Sequence, residues 1–558
     1  MANRPPVERV DVTPAHLQTL LVRVRPKLSE EEYRELEALV ETLVHLADLL
    51  ARKTTSIARL RALVFGACTE KTRAVLARAA SATDTTTPGG GALPDATTGQ
   101  VEDPTHVPRR RGHGRNGAAT YTGGQRITIP HPSLTHGDAC PACGTGTVYV
   151  QRDPKVLVRF VGQAPIGATV YTLERLRCHL CDAVFSAPAP DGIGQDKYDA
   201  TVGAMIAQMK YGSGLPFHRL AQLQANVQIP LPASTQWGIV AALATRIQPL
   251  WAELIRQAAQ GEVLYNDDTG MTVLSLLATH TSQATPMAPV EDDIPAERTG
   301  VFTSGIVATR DGHRVALYFT GRRHAGENLA VVLAHRPPDL APPIQMCDAL
   351  SRNVPQAFKV ILANCLCHAR RNVVDVTPHF PAECRYVLET LRDVYAYEAQ
   401  AQEQGLSPDA RLAWHQTHSR LLMDTLHTWC TTQLGDHLVE PNSGLGTALT
   451  YFLKHWTPLT QFLAVAGAPL DSNLVERALK RAILHRKNSY FYKTPNGARV
   501  GDLFMSAIHT CHLNGVNAFE YLVALQRHAD ALKQTPGAWT PWTYRATLER
   551  LRASADTR

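Results

Sequence analysis

The chain has 558 residues, 44% hydrophobic and 19% charged, with a formal net charge of +6. That length supports several domains with cores of their own, and the composition excludes a wholly disordered chain. The mildly basic balance suits a nucleic-acid partner without demanding one. Eleven cysteines, four in two Cys-x-x-Cys pairs and the rest scattered, do not form a secreted disulfide framework. The start, Met1 to Pro6, has no apolar signal core, and no run approaches a bilayer span, so the expected location is the cytoplasm.

The first element is a helix over 29–80. Leu36, Leu43, Leu50, Ile57 and Val64 recur every seven residues, Leu39, Leu46 and Leu60 fill companion positions, and Lys53 is the polar break. Such a repeat fits a dimerising coiled coil, or else one amphipathic helix packed on its own domain. With it, 1–80 forms an N-terminal unit. An Ala/Thr/Pro/Gly-rich linker follows over 81–108. A basic arm then opens 109–190 with Arg109, Arg110, Arg111 and Arg115 set among glycines. Arms of this kind are often solvated, and they often lie along phosphates.

Two Cys-x-x-Cys pairs, Cys140/Cys143 and Cys178/Cys181, flank a strand-like segment. This is the build of a zinc ribbon holding one structural zinc ion, with all four positions filled by sulfur. The alternative is four unrelated buried thiols.

Over 191–260 the pattern is helical. One helix is expected from Lys197 to Tyr211, a second starts near Pro216, and a third, capped by Ser234, carries Trp237 and Trp251. Both a helix-turn-helix DNA reader and a plain helical bundle fit.

From 261 strands take over. Glu262 to Tyr265 leads into Asp267 and Asp268, and Met271 to Leu277 reads as β-rich. A loop covers 279–298. Strands at Val301–Arg310 and Arg314–Thr320 are joined by Asp311-Gly312, a hairpin signal. A helix over Glu327–His335, a strand Ile344–Cys347 ending on Asp348, a strand Val360–Ala363 and a helix through Ala369 complete the series. This is the element order of a ribonuclease-H-like mixed sheet in a multidomain α/β chain. Its first part is 261–376, a helical insertion fills 377–455, its last part is 456–530, and 531–558 is a tail. The late helix starts near Asp471 and carries Glu476.

Asp267, Asp348 and Glu476 thus fall at strand end, strand end and helix start, an order suited to bringing three carboxylates around divalent ions. Each alone has an ordinary explanation: a loop start, a local cap, a capping box with Asn473 or an ion pair with Lys480.

Several motifs resemble the insertion sequence 66 transposase family. They are Leu60-Arg61-Ala62-Leu63-Val64-Phe65-Gly66-Ala67-Cys68-Thr69-Glu70-Lys71, the Gly112–Gly117 arm, the cysteine pairs, and Lys210-Tyr211 with Leu215-Pro216-Phe217-His218-Arg219. Further matches are Asp267-Asp268-Thr269, Cys365-Leu366-Cys367-His368-Ala369-Arg370-Arg371, Asp471-Ser472-Asn473-Leu474-Val475-Glu476-Arg477-Ala478, Arg486-Lys487-Asn488 and Thr510–Gly515. Departures from the family pattern are Asp268 for Glu, Ser472 for Asn and Cys367 for Ala.

The resemblance implies an Asp-Asp-Glu transposase in which Asp267, Asp348 and Glu476 hold two magnesium or manganese ions. Water would nick the transposon end, and the freed 3′ hydroxyl would attack target DNA. The implied partners are terminal inverted repeats and target DNA, a second copy through the N-terminal helix, and small accessory proteins, with the protein at the nucleoid. Arg370, Arg371, Lys480, Arg481, Arg486 and Lys487 would contact phosphates. A catalytically inactive dimeric DNA-binding regulator and a nuclease of the same fold are the alternatives.

Overall fold

The computed structural model describes residues 196–278 and 298–556 continuously, most of 128–150 and 164–190, and scattered positions before residue 77. The heptad core beyond Val40, the linker, Arg109, Arg110, Arg111, Arg115, Cys178 and Cys181 lie outside the described residues. The chain divides into two units, residues 1–87 with 366–467, and residues 88–365 with 468–558.

In the second unit, strands β1 (Arg175–Arg177) and β2 (Val184–Ser186) pair antiparallel. Helices α1 (Ala200–Ala207), α2 (Phe217–Asn226) and α3 (Ala233–Ala259) follow. The single helix expected over Lys197–Tyr211 instead starts at Ala200, capped by Asp199, and widens into a π turn at Gln208–Gly212. Ser234 does not cap α3; Pro232 occupies the cap position and the helix begins at Ala233. Val240, Leu243, Ile247, Leu250 and Leu254 bury one face of α3 in the core shared with the sheet, and Trp251 meets Phe319 edge-on at 5.3 Å.

The sheet comprises β3 (Val263–Gly270), β4 (Phe302–Arg310), β5 (His313–Gly321), β6 (Ile344–Cys347) and β7 (Ile361–Asn364), in the order β5-β4-β3-β6-β7. β3 pairs antiparallel with β4 and parallel with β6, and β6 is parallel to β7. This five-stranded mixed sheet is compatible with a ribonuclease-H-like core. Asp311 and Gly312, with φ 49° and 77°, form the expected tight hairpin. The β-rich reading of Met271–Leu277 is corrected: Val273 makes one isolated bridge, to Tyr492, and Leu274–Ala278 is a short helix, α4. Its Leu274 and Leu277 are exposed, so no partner strand shields an alternating face there. Helix α5 (Ala325–Leu333) links β5 to β6.

The first unit contains α6 (Leu366–Val376), α7 (Pro381–Glu403), α8 (Pro408–His418), α9 (Arg420–Gly435), α10 (Gly444–Lys454) and α11 (Trp456–Leu459). Val387, Leu391, Met423, Leu426 and Phe452 are fully buried there. Buried Glu398 ties α7 to α8 by accepting from Arg411 Nε (2.8 Å) and His415 Nε2 (2.9 Å).

The second unit ends with α12 (Asn473–Ser489), α13 (Pro495–Leu513), α14 (Ala518–Arg527), α15 (Ala529–Gln534) and α16 (Tyr544–Asp556). Along α13 and just past its end, every fourth residue is polar and faces β5, an edge strand of the sheet. Asp502 accepts from Thr320 N–H (2.7 Å), Ser506 from Tyr318 N–H (3.0 Å), Thr510 from Ala316 N–H (3.1 Å) and Asn514 from Arg314 N–H (3.1 Å). Four helical residues rise about 6 Å and two strand residues about 6.8 Å, so the two ladders keep step. An edge that would otherwise pair with another chain is thereby covered.

Two outcomes follow. Thr510→Val leaves the Ala316 N–H buried without an acceptor, and we expect a loss of about 1–3 kcal/mol in urea unfolding. Burial lifts the Asp502 carboxyl to about 7, against the pull of the two hydrogen bonds from Thr320. The folded state therefore holds this proton more tightly than the unfolded chain does. The resulting stability is complete below about pH 4 and is lost as pH rises to about 7. Asp502→Asn should remove that part of the slope in a series of thermal unfolding curves.

Candidate active site

Tyr265 of β3 pairs with Met346 of β6 in parallel register. Asp267 lies two residues beyond the first and Asp348 two beyond the second, so the strands deliver both carboxylates to one end of the sheet, on one face. Burial, then the charges of Asp348 and Asp267, push the intervening Cys347 thiol up. Asp267 Oδ1 accepts the Asp268 N–H at 2.8 Å. Asp348 Oδ1 accepts from Leu350 N–H (3.2 Å) and from the Asn353 amide.

Asn353 is fully buried, as are Asn266 and Gln345. Its carbonyl accepts from Asn266 Nδ2 (2.7 Å) and Gln345 Nε2 (2.6 Å), and Gln345 Nε2 also donates to Asn266 Oδ1 (2.8 Å). A polar cluster spanning β3, β6 and the loop after Asp348 thus holds the Asp348 side chain in place. A buried Asn is silent in a single sequence, and nothing there marked Asn353.

Glu476 enters from α12. On β4, Gly305 stands opposite Asp267. A Cβ on Gly305 would lie 3.0 Å from Leu479 Cδ2 and 3.4 Å from Val475 Cγ2, so the glycine lets α12 settle onto the sheet beside β3. Fully buried Tyr318 fastens the helix by donating to Ala478 O at 2.9 Å. With that proton used, His509 Nδ1, at 2.8 Å, is the donor to the Tyr318 oxygen. One turn before Glu476, Ser472 donates its N–H to Cys365 Sγ (3.2 Å), and Cys365 N–H donates to Cys347 O (2.9 Å). Glu476 is thereby linked to the ends of β6 and β7, with Cys365 Sγ within 4.8 Å of its carboxylate. Among the described residues, Asp267, Asp348 and Glu476 do not all bring a ligand atom within 4.8 Å of one another.

Asp268 has a different place from Asp267. Strand alternation turns it to the other face, where its carboxylate is 2% exposed, 3.0 Å from His324 Nδ1 and 3.5 Å from Arg352 Nη2. It also accepts from Ala325 N–H (3.4 Å), so it anchors the positive start of α5.

The basic residues separate by exposure. Lys480 and Lys487 are exposed. Arg481 donates to His512 Nδ1 (2.7 Å) and Gly212 O (3.4 Å), and Arg486 to Thr269 Oγ1 (3.2 Å) and Gly270 O, so both brace α12. Arg370, 8% exposed, donates to Thr72 Oγ1 within its own unit; Arg371 is half-buried.

Cys140 and Cys143 lie in a turn closed by the Ala139–Thr147 bridge. Backbone hydrogen bonds from Gly146 and Thr145 hold the Cys143 thiol down at about 7, which favours the thiolate a metal needs.

The model of the Transposase IS66 family matches residues 197–500, which include Asp267, Asp348 and Glu476. The chain belongs to this family. It is also similar to the uncharacterized protein y4jD of Sinorhizobium fredii (strain NBRC 101917 / NGR234), at 27% identity over 67% of this chain and 71% of that protein. A second similarity is to the uncharacterized protein y4hP of the same organism, at 25% identity over 69% of this chain and 68% of that protein. Membership implies a nucleic-acid-processing enzyme with a role in transposition, DNA binding and a divalent-metal requirement. No helix among the described residues is long and apolar enough to cross a membrane.

If Gly305 sets the approach of α12, then Gly305→Val must push Leu479 and Val475 outward. We expect a stability loss of about 1–3 kcal/mol in denaturant unfolding from this overpacking.

Proposed function

We propose that this transposase-family chain cuts DNA at the ends of a mobile element and joins them to target DNA, with Asp267, Asp348 and Glu476 as its catalytic set. The observation that carries the reading is the β3–β6 register, which sets two carboxylates at matching strand ends beside the helix that bears the third. An all-oxygen donor set suits Mg2+ or Mn2+. Bound there, two such ions would neutralise charge on the transferred phosphoryl group and make the attacking hydroxyl easier to deprotonate. Asn353 and the Leu350 N–H fix the orientation of Asp348, and the Asp268 N–H does the same for Asp267. Exposed Lys480 and Lys487 neutralise phosphates along α12, joined by Arg371 and by the arm of Arg109, Arg110, Arg111 and Arg115.

In this reading Cys140, Cys143, Cys178 and Cys181 hold one structural zinc ion that shapes a DNA-binding surface. The lowered Cys143 thiol supports that part. The N-terminal helix pairs two copies.

The test is strand cleavage and joining on a duplex carrying the element's own terminal sequences, with Mg2+ or Mn2+. We expect Asp267→Asn, Asp348→Asn and Glu476→Gln each to fall to background while circular dichroism shows a folded chain. Cleavage that survives one of these changes removes that residue from the set. Cleavage without joining assigns a nuclease of the same fold, and DNA binding with neither step assigns a regulator.

A further inference from the structure

Tyr490 and Phe491 follow α12 directly and are 70% and 43% exposed. Two adjacent exposed aromatics offer flat apolar faces that a partner can cover. Their backbone is also unusual. Phe491 N–H donates to Ser489 O at 2.8 Å, and Tyr490 between them has φ 64° and ψ −43°. That is a γ-turn of the left-handed kind, which is rare and strained for a residue with a side chain. The turn does not relax, because it is clamped on both sides. Tyr490 N–H donates to Arg486 O (2.8 Å), and the next residue, Tyr492, is buried and bonded to Thr272 just past the end of β3. The two rings are therefore held outward on a rigid mount, at the far end of the helix that begins with Glu476.

The neighbouring sequence is of one sign: residues 480–499 include six Lys or Arg and no Asp or Glu, and Lys487, Lys493 and Arg499 among them are exposed. Exposed aromatic side chains in a segment whose only charges are positive match a polyanion whose flat bases are accessible, which is unpaired DNA. Paired duplex offers its phosphates to the lysines but no base face to the rings.

We propose that Tyr490 and Phe491 form a stacking platform for an unpaired DNA base close to the site of cutting. It rests on the DNA-cutting reading above. Fourteen residues of helix separate Glu476 from Tyr490, roughly 20 Å, so the base stacks within a few nucleotides of the phosphate held by the carboxylates.

The test uses the full chain in an Asp267→Asn background and two duplexes, one fully paired and one with a single unpaired 2-aminopurine. We expect the bulged duplex to bind at least about fivefold more tightly, with its fluorescence quenched. Tyr490→Ala/Phe491→Ala should bind both duplexes alike, at the affinity the parent shows for the paired one, while Tyr490→Phe keeps the preference. Tyr490→Gly, which relieves the backbone strain, should lose the preference without a fall in unfolding midpoint, separating stacking from stability. A double variant that retains the preference and the quench overturns the platform and leaves the cutting reading intact. A double variant that instead converts a dimer to a monomer in light scattering assigns the rings to a second copy and also overturns it. Failure of the parent chain to bind either duplex overturns both readings.

Discussion

The structure depends on one strand that pairs in two senses. β3 runs antiparallel to β4 and parallel to β6, so it sits at the centre of the sheet with a fixed register on each side. The parallel side needs a crossover, supplied by α5, and it brings the strand ends of β3 and β6 level. The antiparallel side sets Gly305 against Asp267, leaving room for a helix. Two adjacent acidic residues on β3 then meet opposite fates. Asp267 stays on the face with Asp348, while Asp268 is buried against His324, Arg352 and the start of α5.

The remaining elements hold that arrangement still. α13 answers the outward N–H groups of β5 with Asp502, Ser506, Thr510 and Asn514, which closes one sheet edge. Tyr318, on the same strand, reaches Ala478 and so ties the closed edge to α12. Arg481 and Arg486 brace α12 from its sides. Positive charge near the proposed catalytic set thus falls into two kinds. The arginines that build the fold are engaged with carbonyls and side chains, and the exposed lysines face solvent, where a phosphate backbone can reach them.

Much of the sheet was legible in the chain. The Asp311-Gly312 turn, the short apolar runs before Asp348 and Asn364, and the late helix carrying Glu476 lie where local pattern puts them, because each is set by residues near in sequence. The errors have a common cause as well. Met271–Leu277 has β-forming residues but no neighbouring strand to pair with, so Leu274–Ala278 coils into a short helix. Ser234 looks like a cap, yet the chain direction set by Pro232 starts α3 one residue earlier.

By itself the sequence determined most of the types and order of the elements and the family to which the chain belongs, since these rest on local pattern and on motif. Only the tertiary structure decided which residues meet: that Asn353 holds Asp348, that Gly305 admits α12, that Asp268 is an anchor, and that Tyr490 and Phe491 stand outward on a strained turn. The physical reason is that strand register and helix docking bring together residues tens to hundreds of positions apart, and no local preference encodes such a meeting.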